Sequence, residues 1–371
     1  MKGIYLNFVP EYEIGVIKKL NFQIKSFNKL GVNIKKCKII EEKFYIDDIF
    51  INNYHTGTSF KEKLLRKIDL YFCLKKLQRT KLYEGIDFIY IRYFYSSPWF
   101  ISYLKFLKKV NLKVIIEIPT YPYDGEVKDN FFTRWDKKYR EELHKYVDKA
   151  VTYSNDKEIL GIICINISNG IDSSEISIIQ KNIKKSINEI NFIGVARIAF
   201  WHGFDRFILS MGEYYKNNPK EVVKFHIVGD GNKETVNALK NLVKENKLEN
   251  YVIFYGYNAG KELDEIYNKA DIGVGGLAAF RQGLTTGSGL KNREYCAKGI
   301  PFINGDIDNS FVGCKFVYKV PNENSLFSIK EIIEWYKNLN MTSEEIRKYA
   351  ENNLSWDIQM KKVVESIKEL I

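Results

Sequence analysis

The sequence predicts an α/β protein made of two doubly wound, mainly parallel-sheet domains in succession, with a cleft between them. Three observations carry this. The chain has 371 residues, which suits two domains of about 100–200 residues each. Its N-terminal half alternates short apolar, β-rich runs with amphipathic helical stretches, the pattern of parallel strands joined by crossover helices. Around Asn169-Gly170-Ile171-Asp172 the alternation gives way to the polar stretch Ser173–Asn188 and then restarts.

In chain order, a strand is expected over Ile4–Val9, a helix over Val16–Leu30 stopped by Gly31, and a strand over Val32–Ile40. Further strands are expected at Phe88–Ile91, Val114–Ile118 and Ala150–Tyr153. Beyond the break come strand Ile190–Val195, strand Phe225–Val228 running into Gly229-Asp230-Gly231, and a helix over Lys233–Glu245. Val252–Tyr255 closes on Gly256, Lys261–Lys269 reads as a helix, and Ile272–Val274 as a strand. Leu290–Lys298 is a helix stopped by Gly299, with Pro301 just beyond. The expected division is 1–170, 171–353 and a closing segment 354–371.

Hydrophobic residues make up 45% and charged residues 28%, a balance that excludes disordered, collagenous and disulfide-scaffold classes. No run reaches the ~18 apolar residues of a membrane span; even Phe88–Leu107 carries Arg92, Ser96, Ser97, Pro98 and Lys105. The apolar run in Met1–Pro10 is short for a signal-peptide core and reads as a first strand. Cys37, Cys73, Cys164, Cys296 and Cys314 are scattered, with no C-x-x-C pair, and the four histidines lack metal-ligand spacing. A disulfide framework and a protein-built metal centre are therefore not expected, and a cytoplasmic location fits. Net charge is +11, with 30 Lys/Arg against 20 Asp/Glu in residues 1–170 and 27 against 26 in the rest. Such a basic half suits anionic material, a membrane surface or a lipid diphosphate; an AT-rich genome rich in lysine codons accounts for it equally. Nucleic acid is not expected, because no helix-turn-helix, RRM or zinc-finger signature is present.

The densest functional signal is Arg281–Gly299, RQGLTTGSGLKNREYCAKG. Glycines at 283, 287 and 289 permit close backbone approach, and the first-turn amides of the helix from Leu290 would face the loop. A sugar phosphate or diphosphate suits the amides of Ser288 to Lys291, with Lys291 adding charge. Glu294 suits bidentate acceptance of two vicinal hydroxyls; an isolated acid near a helix N-terminus also serves the helix dipole. A second signal is Gly194–Asp205, GVARIAFWHGFD, where Arg197 and His202 leave the end of a strand. The third, Gly229-Asp230-Gly231, is a βα turn, common in nucleotide binders and equally a simple tight turn.

In this order the signals resemble the GT-B-fold glycosyltransferases, family 4 (group 1), of capsular, lipopolysaccharide and exopolysaccharide biosynthesis. The resemblance rests on VARIAFWHGFDRFI, FHIVGDG, VIFYGY, IYNKADIGVGGL and GLKNREYCAKGIPFI across roughly 190–304. It is thinner through Gly15-Val16, IEIPTYPYDGE (116–126) and the SNGID hinge (168–172), and LSWDIQMKKVVESI (354–367) resembles the terminal helix that crosses back to the first domain.

The resemblance implies two Rossmann-like domains, the first binding the acceptor and the second the donor. Arg197 and His202, with Glu294, would act at the reaction centre, the first two by neutralising the diphosphate; His202 stands where many relatives carry Lys, so its charge would depend on pH. Donor contacts would come from Gly15, Gly229, Tyr257, Thr286, Ser288, Gly289, Leu290, Lys291 and Glu294. The family's acid eight residues before Glu294 is replaced by Thr286, and IEIPTYPYDGE lacks the family's histidine. Thr120 and Tyr121, with Glu117 or Asp124, are the local candidates for the acceptor.

The implied activity is hexosyl transfer, metal-independent and retaining in the family's manner, from a nucleotide diphosphate sugar, UDP or GDP, to a saccharide acceptor, lipid-linked at the inner face of the membrane. No cofactor is expected, and the basic N-domain would sit peripherally on anionic lipid. A same-fold nucleotide-sugar epimerase and a non-catalytic carbohydrate-binding protein are the alternatives.

Overall fold

The computed structural model describes residues 1–123, 131–179 and 188–371. The chain forms two compact units, one of Met1–Ser168 with Trp356–Ile371, the other of Asn169–Ser355.

The first unit holds β1 (Lys2–Leu6), α1 (Ile14–Lys29), β2 (Asn33–Ile40), β3 (Lys43–Ile46), β4 (Ile49–Asn53), α2 (Phe60–Leu77), β5 (Phe88–Arg92), α3 (Pro98–Lys109), β6 (Lys113–Ile118), α4 (Phe131–Tyr139), β7 (Lys149–Thr152), β8 (Glu158–Ile159) and β9 (Ile162–Asn166). Its sheet runs β4-β3-β2-β1-β5-β6-β7-β9-β8. The central pairs are parallel and the β2–β3–β4 and β8–β9 edges antiparallel. The central strands FIYIR and KVIIEI are almost wholly buried, as expected of parallel strands covered on both faces. Each large apolar side chain there stabilises the fold by about 1.5–3 kcal/mol. α3 starts cleanly because the Ser97 hydroxyl accepts from the Phe100 N–H and Pro98 occupies the first turn. The C-terminal helix Trp356–Lys368 belongs to this unit, burying Trp356, Met360, Val363, Val364 and Ile367 with Leu20, Ile24 and Phe27 of α1.

The second unit is built from β10 (Glu189–Val195), α5 (Phe204–Lys216), β11 (Val222–Val228), α6 (Lys233–Glu245), β12 (Val252–Gly256), α7 (Gly260–Tyr267), β13 (Ile272–Val274), α8 (Leu290–Lys298), β14 (Phe302–Asn304), β15 (Val317–Lys319), α9 (Ile329–Asn338) and α10 (Ser343–Asn353). Its six strands are parallel in the order β12-β11-β10-β13-β14-β15. All the loops that follow β10 to β14 therefore emerge on one edge, where ligands of open parallel sheets bind.

Candidate functional site

Glycines fix how the first two loops of the second unit meet. Gly229 has a φ of 123°, and a Cβ there would lie 1.9 Å from the Ala196 carbonyl; one on Gly231 would lie 2.3 Å from that of Ile198. With no side chains in the way, the Ala196 N–H donates to the Val228 carbonyl at 3.0 Å and that of Ile198 to Asp230 at 2.8 Å. The Gly-Asp-Gly turn is thus a packing device, and it leaves Arg197 exposed between the two bonds.

His202 ends a 3-10 turn, Phe200–His202, ahead of Gly203 at φ 69°. Its ring stacks on Phe204 at 5.8 Å. Nε2 lies 3.1 Å from the Arg197 carbonyl and Nδ1 lies 3.3 Å from Lys291 Nζ. A carbonyl only accepts and an ammonium only donates, so Nε2 carries the proton and Nδ1 accepts. Burial, then the Lys291 charge, lower the imidazole to about 3 against the pull of the Arg197 carbonyl. The cation expected at 202 is corrected: His202 is neutral at neutral pH and serves as an acceptor for Lys291.

Lys291 stands in the first turn of α8, with Nζ also 5.4 Å from the Phe204 ring centre. Burial lowers it to about 7, although Asp306 opposes the shift. The glycine loop before it is fastened from behind. The Gly287 N–H donates to the Ile307 carbonyl and the Ile307 N–H to Thr285, both at 2.9 Å, with Thr286 bridged to Ile307. Gly289 is the N-cap of α8 and supplies no side-chain cap. The Ser288 hydroxyl accepts from the Asn169 N–H at 2.9 Å and its carbonyl from Asn169 Nδ2 at 2.7 Å.

Arg293 holds this corner together. Fully buried, it donates to both oxygens of Asp308 at 2.5 and 2.9 Å, and to Ser310 Oγ at 3.0 Å, the Gly289 carbonyl at 3.0 Å and the Asn169 carbonyl at 2.7 Å. Arg281, which opens the dense stretch, is occupied by both oxygens of Asp205 at 2.9 and 2.7 Å and by the Phe200 carbonyl at 2.7 Å. Glu294, half-buried one turn after Leu290, faces Tyr267 and Tyr295; burial first, and then its charge, push both hydroxyls up. Exposed Leu290 contributes backbone only, and Tyr257 is 75% exposed beyond Gly256.

The second unit therefore gathers His202, Lys291, Ser288, Gly289 and Leu290 around one helix start, with the Arg197 carbonyl touching His202. Thr286 takes part through its backbone bridge, Gly229 through packing, and Tyr257 stands on the neighbouring loop after β12. Gly15 lies in the first turn of α1 in the first unit, where a Cβ would meet nothing within 4 Å. None of the described residues of that unit requires a glycine there.

Thr120 and Tyr121 follow β6, both half-buried; Asp124 lies outside the described residues. Glu117 is corrected from an acceptor candidate to an interior residue. It is fully buried and accepts from Tyr90 at 2.7 Å, Tyr153 at 3.0 Å, Gln23 at 2.9 Å and Arg92 at 2.7 Å, with Lys19 at 3.7 Å. Sequence reasoning missed Arg293, Asp306 and Asp308. Arg293 adjoins Glu294 in the dense stretch, but spacing cannot tell a buried arginine from a solvated one; GDIDN (305–309) reads as a turn.

Residues 175–352 match the family described as "Glycosyl transferases group 1". No curated protein sequence matches the chain. Among solved structures, a glycosyltransferase from Rickettsia africae ESF-5 is similar at TM-score 0.66 and 16% identity, covering 99% of this chain and 98% of that one. Anabaena Alr3699/HepE in complex with UDP gives 0.65 and 13%, covering all of both chains. Sucrose-phosphate synthase from Thermosynechococcus elongatus gives 0.61 and 13%, covering 100% and 98%. The chain has the GT-B fold, and its residues 175–352 are a glycosyltransferase group 1 domain.

Proposed function

We propose that the protein is a nucleotide-sugar-dependent hexosyltransferase whose second unit binds the donor diphosphate at 287–291. The observation that carries this reading is the cation at the start of α8: Lys291, lowered to about 7, beside a neutral His202, on a glycine loop with no side-chain cap. An arriving diphosphate restores the charge on Lys291 and accepts from the loop amides. As the bond from the anomeric carbon to the β-phosphate oxygen breaks and the bond to the acceptor oxygen forms, negative charge grows on the leaving diphosphate. Lys291, Arg197 and the amides are then worth more than in the ground state. Glu294 accepts from the ribose hydroxyls. The family match and the UDP bound to Alr3699/HepE support a nucleotide sugar, with UDP the first candidate.

The proposed acceptor is a lipid-linked saccharide held by the first unit during surface polysaccharide assembly, with retention of configuration and no metal requirement. Phe60, Leu64, Ile68 and Phe72 recur every four residues on α2, 86%, 45%, 45% and 44% exposed, beside exposed Lys61, Lys63, Lys75 and Lys76. This face suits peripheral contact with an anionic bilayer. The half-buried Leu65 and Tyr71 contribute less to it.

Thermal denaturation against UDP-, GDP- and TDP-sugars tests the donor reading. A ligand at 100 times its dissociation constant adds about 2.7 kcal/mol, so one nucleotide class should raise Tm by several degrees. No shift with any of them at millimolar concentration contradicts it.

A further inference from the structure

Arg206, in the first turn of α5, is buried, with 1% of its surface exposed. Among the described residues its donors go only to carbonyls: Nη1 to Leu277, Nη2 to Pro321 at 3.0 Å and to Ser325 at 2.7 Å, and Nε to Ser325 at 3.2 Å. Asp205, its neighbour in sequence, is taken up by Arg281. Phe280 and Phe327 flank the guanidinium, with ring centres 5.7 and 5.5 Å away. A buried charge without an ion pair is costly to keep, and an apolar side chain fills a space between two aromatic rings without that cost. What the guanidinium adds is a fork of donors fixed in one plane. The fork joins three segments that follow the carboxyl ends of strands: the start of α5 after β10, the loop after β13 and the loop after β15.

We propose that Arg206 is a positioning residue of the donor site, which acts through Leu277 by holding His202 against Lys291. Every link is a hydrogen bond. Arg206 donates to the Leu277 carbonyl, the Leu277 N–H donates to the His202 carbonyl at 3.1 Å, and His202 Nδ1 lies 3.3 Å from Lys291 Nζ. Gly203 makes the middle link close: at φ 69° it packs on Leu277, where a Cβ would lie 2.8 Å from the leucine's own. The same guanidinium braces the approach to the glycine loop. It holds Pro321 and Ser325, and between them Asn322 Oδ1 accepts from the Phe280 N–H at 3.3 Å while Nδ2 donates to the Leu284 carbonyl at 3.1 Å. Ala279–Gln282, the 3-10 turn so held, ends at Gly283. Arg206 thus stands behind both sides of the site, the imidazole and the loop that leads to 287–291. This inference rests on the donor reading for the ligand but not for the imidazole.

Two measurements test it. In the first, the His202 imidazole is followed by nitrogen-15 NMR in the intact chain, in Arg206→Met, whose unbranched apolar chain still fits between the two rings, and in Arg206→Lys. The groups facing His202 are Lys291 of α8, the Arg197 carbonyl, and the rings of Trp201 and Phe204. Wild-type His202 should stay neutral from pH 8 down to pH 5, with its proton on Nε2. In Arg206→Met it should lose that single tautomer and titrate within this range, because an imidazole released from its pocket and from Lys291 returns toward its ordinary value. Arg206→Lys, which retains one donor for Leu277, should fall between. Gly203→Ala, which displaces Leu277 with Arg206 in place, should act as Arg206→Met does. A folded Arg206→Met or Gly203→Ala chain with the wild-type His202 spectrum overturns the proposal. In the second, UDP-glucose binding is measured by calorimetry at pH 7 in Arg206→Met and in Val243→Ala, a core change near the end of α6, an element that carries none of the three segments. Arg206→Met should weaken binding at least about fivefold, and Val243→Ala should bind within about twofold of wild type. Equal losses in the two, or no loss in Arg206→Met, overturn the proposal. Absence of binding by wild type counts against the donor reading and leaves the His202 spectra to decide the role of Arg206.

Discussion

Each unit buries a lysine, and the two lysines sit in opposite circumstances. In the first unit Lys19 is lowered to about 8 by burial, against Glu117, and lies 3.7 Å from the centre of the Tyr153 ring. Glu117 is saturated by Tyr90, Tyr153, Gln23 and Arg92. In the second unit Lys291, lowered to about 7 by burial, has a neutral imidazole 3.3 Å away and no ion pair among the described residues. A saturated network holds strands together and offers a ligand nothing. An unsaturated one stores charge that an anion can complete.

The sharpest way to break the comparison is Arg293→Ala. It strips five hydrogen bonds from one corner of the second unit and leaves Asp308 buried without its counter-ion, which costs about 3–5 kcal/mol. Chemical denaturation should show that loss, and donor affinity should fall with it because Gly289 and Asn169 lose their tether. Glu117→Gln comes next. It leaves Arg92 and Lys19 uncompensated and should destabilise by a similar or slightly smaller amount, while donor affinity measured on the folded protein stays within twofold. The carboxyl also gives a pH signature. Burial pushes it up, but Lys19, Arg92, Tyr90 and Gln23 outweigh this and bring it down to about 2. Its stabilisation is complete above the ordinary value of 4.5 and is lost as pH falls toward about 2, on the order of 3 kcal/mol. Glu117→Gln should flatten that limb of the acid-denaturation curve.

Glu294→Gln should cost about 1.5–3 kcal/mol of donor binding, since a ribose hydroxyl loses a charged acceptor; unchanged affinity by calorimetry reduces Glu294 to a partner of Tyr267 and Tyr295. The smallest expected effect is at α2. Each exposed lysine near an anionic surface adds about 1 kcal/mol, so changing Lys61, Lys63, Lys75 and Lys76 to Glu should abolish co-sedimentation with anionic liposomes. Turnover of a water-soluble acceptor should not change.

The fold was legible because its signals are local. Lys233–Glu245, Ile272–Val274 and Leu290–Lys298 have the bounds that periodicity predicts. The antiparallel edge β3–β4 was not foreseen, because strands of four and five residues, with four of their nine side chains exposed, carry little pattern. At the site, the glycine loop and Lys291 stood out through spacing. The protonation of His202 did not, since it depends on burial and then on Lys291, which is 89 residues away in sequence and 3.3 Å away in space. Glu117 was misread for the same reason: one letter in a loop-proximal strand says nothing about four donors brought in from α1, β5 and the end of β7.

Calorimetric titration of UDP-glucose into wild type, Lys291→Ala and Glu117→Gln at pH 6.5 tests the central contrast most directly. If the unsaturated lysine takes the diphosphate, Lys291→Ala should lose at least about tenfold in affinity, the value of one charged hydrogen bond, while Glu117→Gln binds as wild type does. Equal affinity for wild type and Lys291→Ala, or a loss confined to Glu117→Gln, would contradict the account.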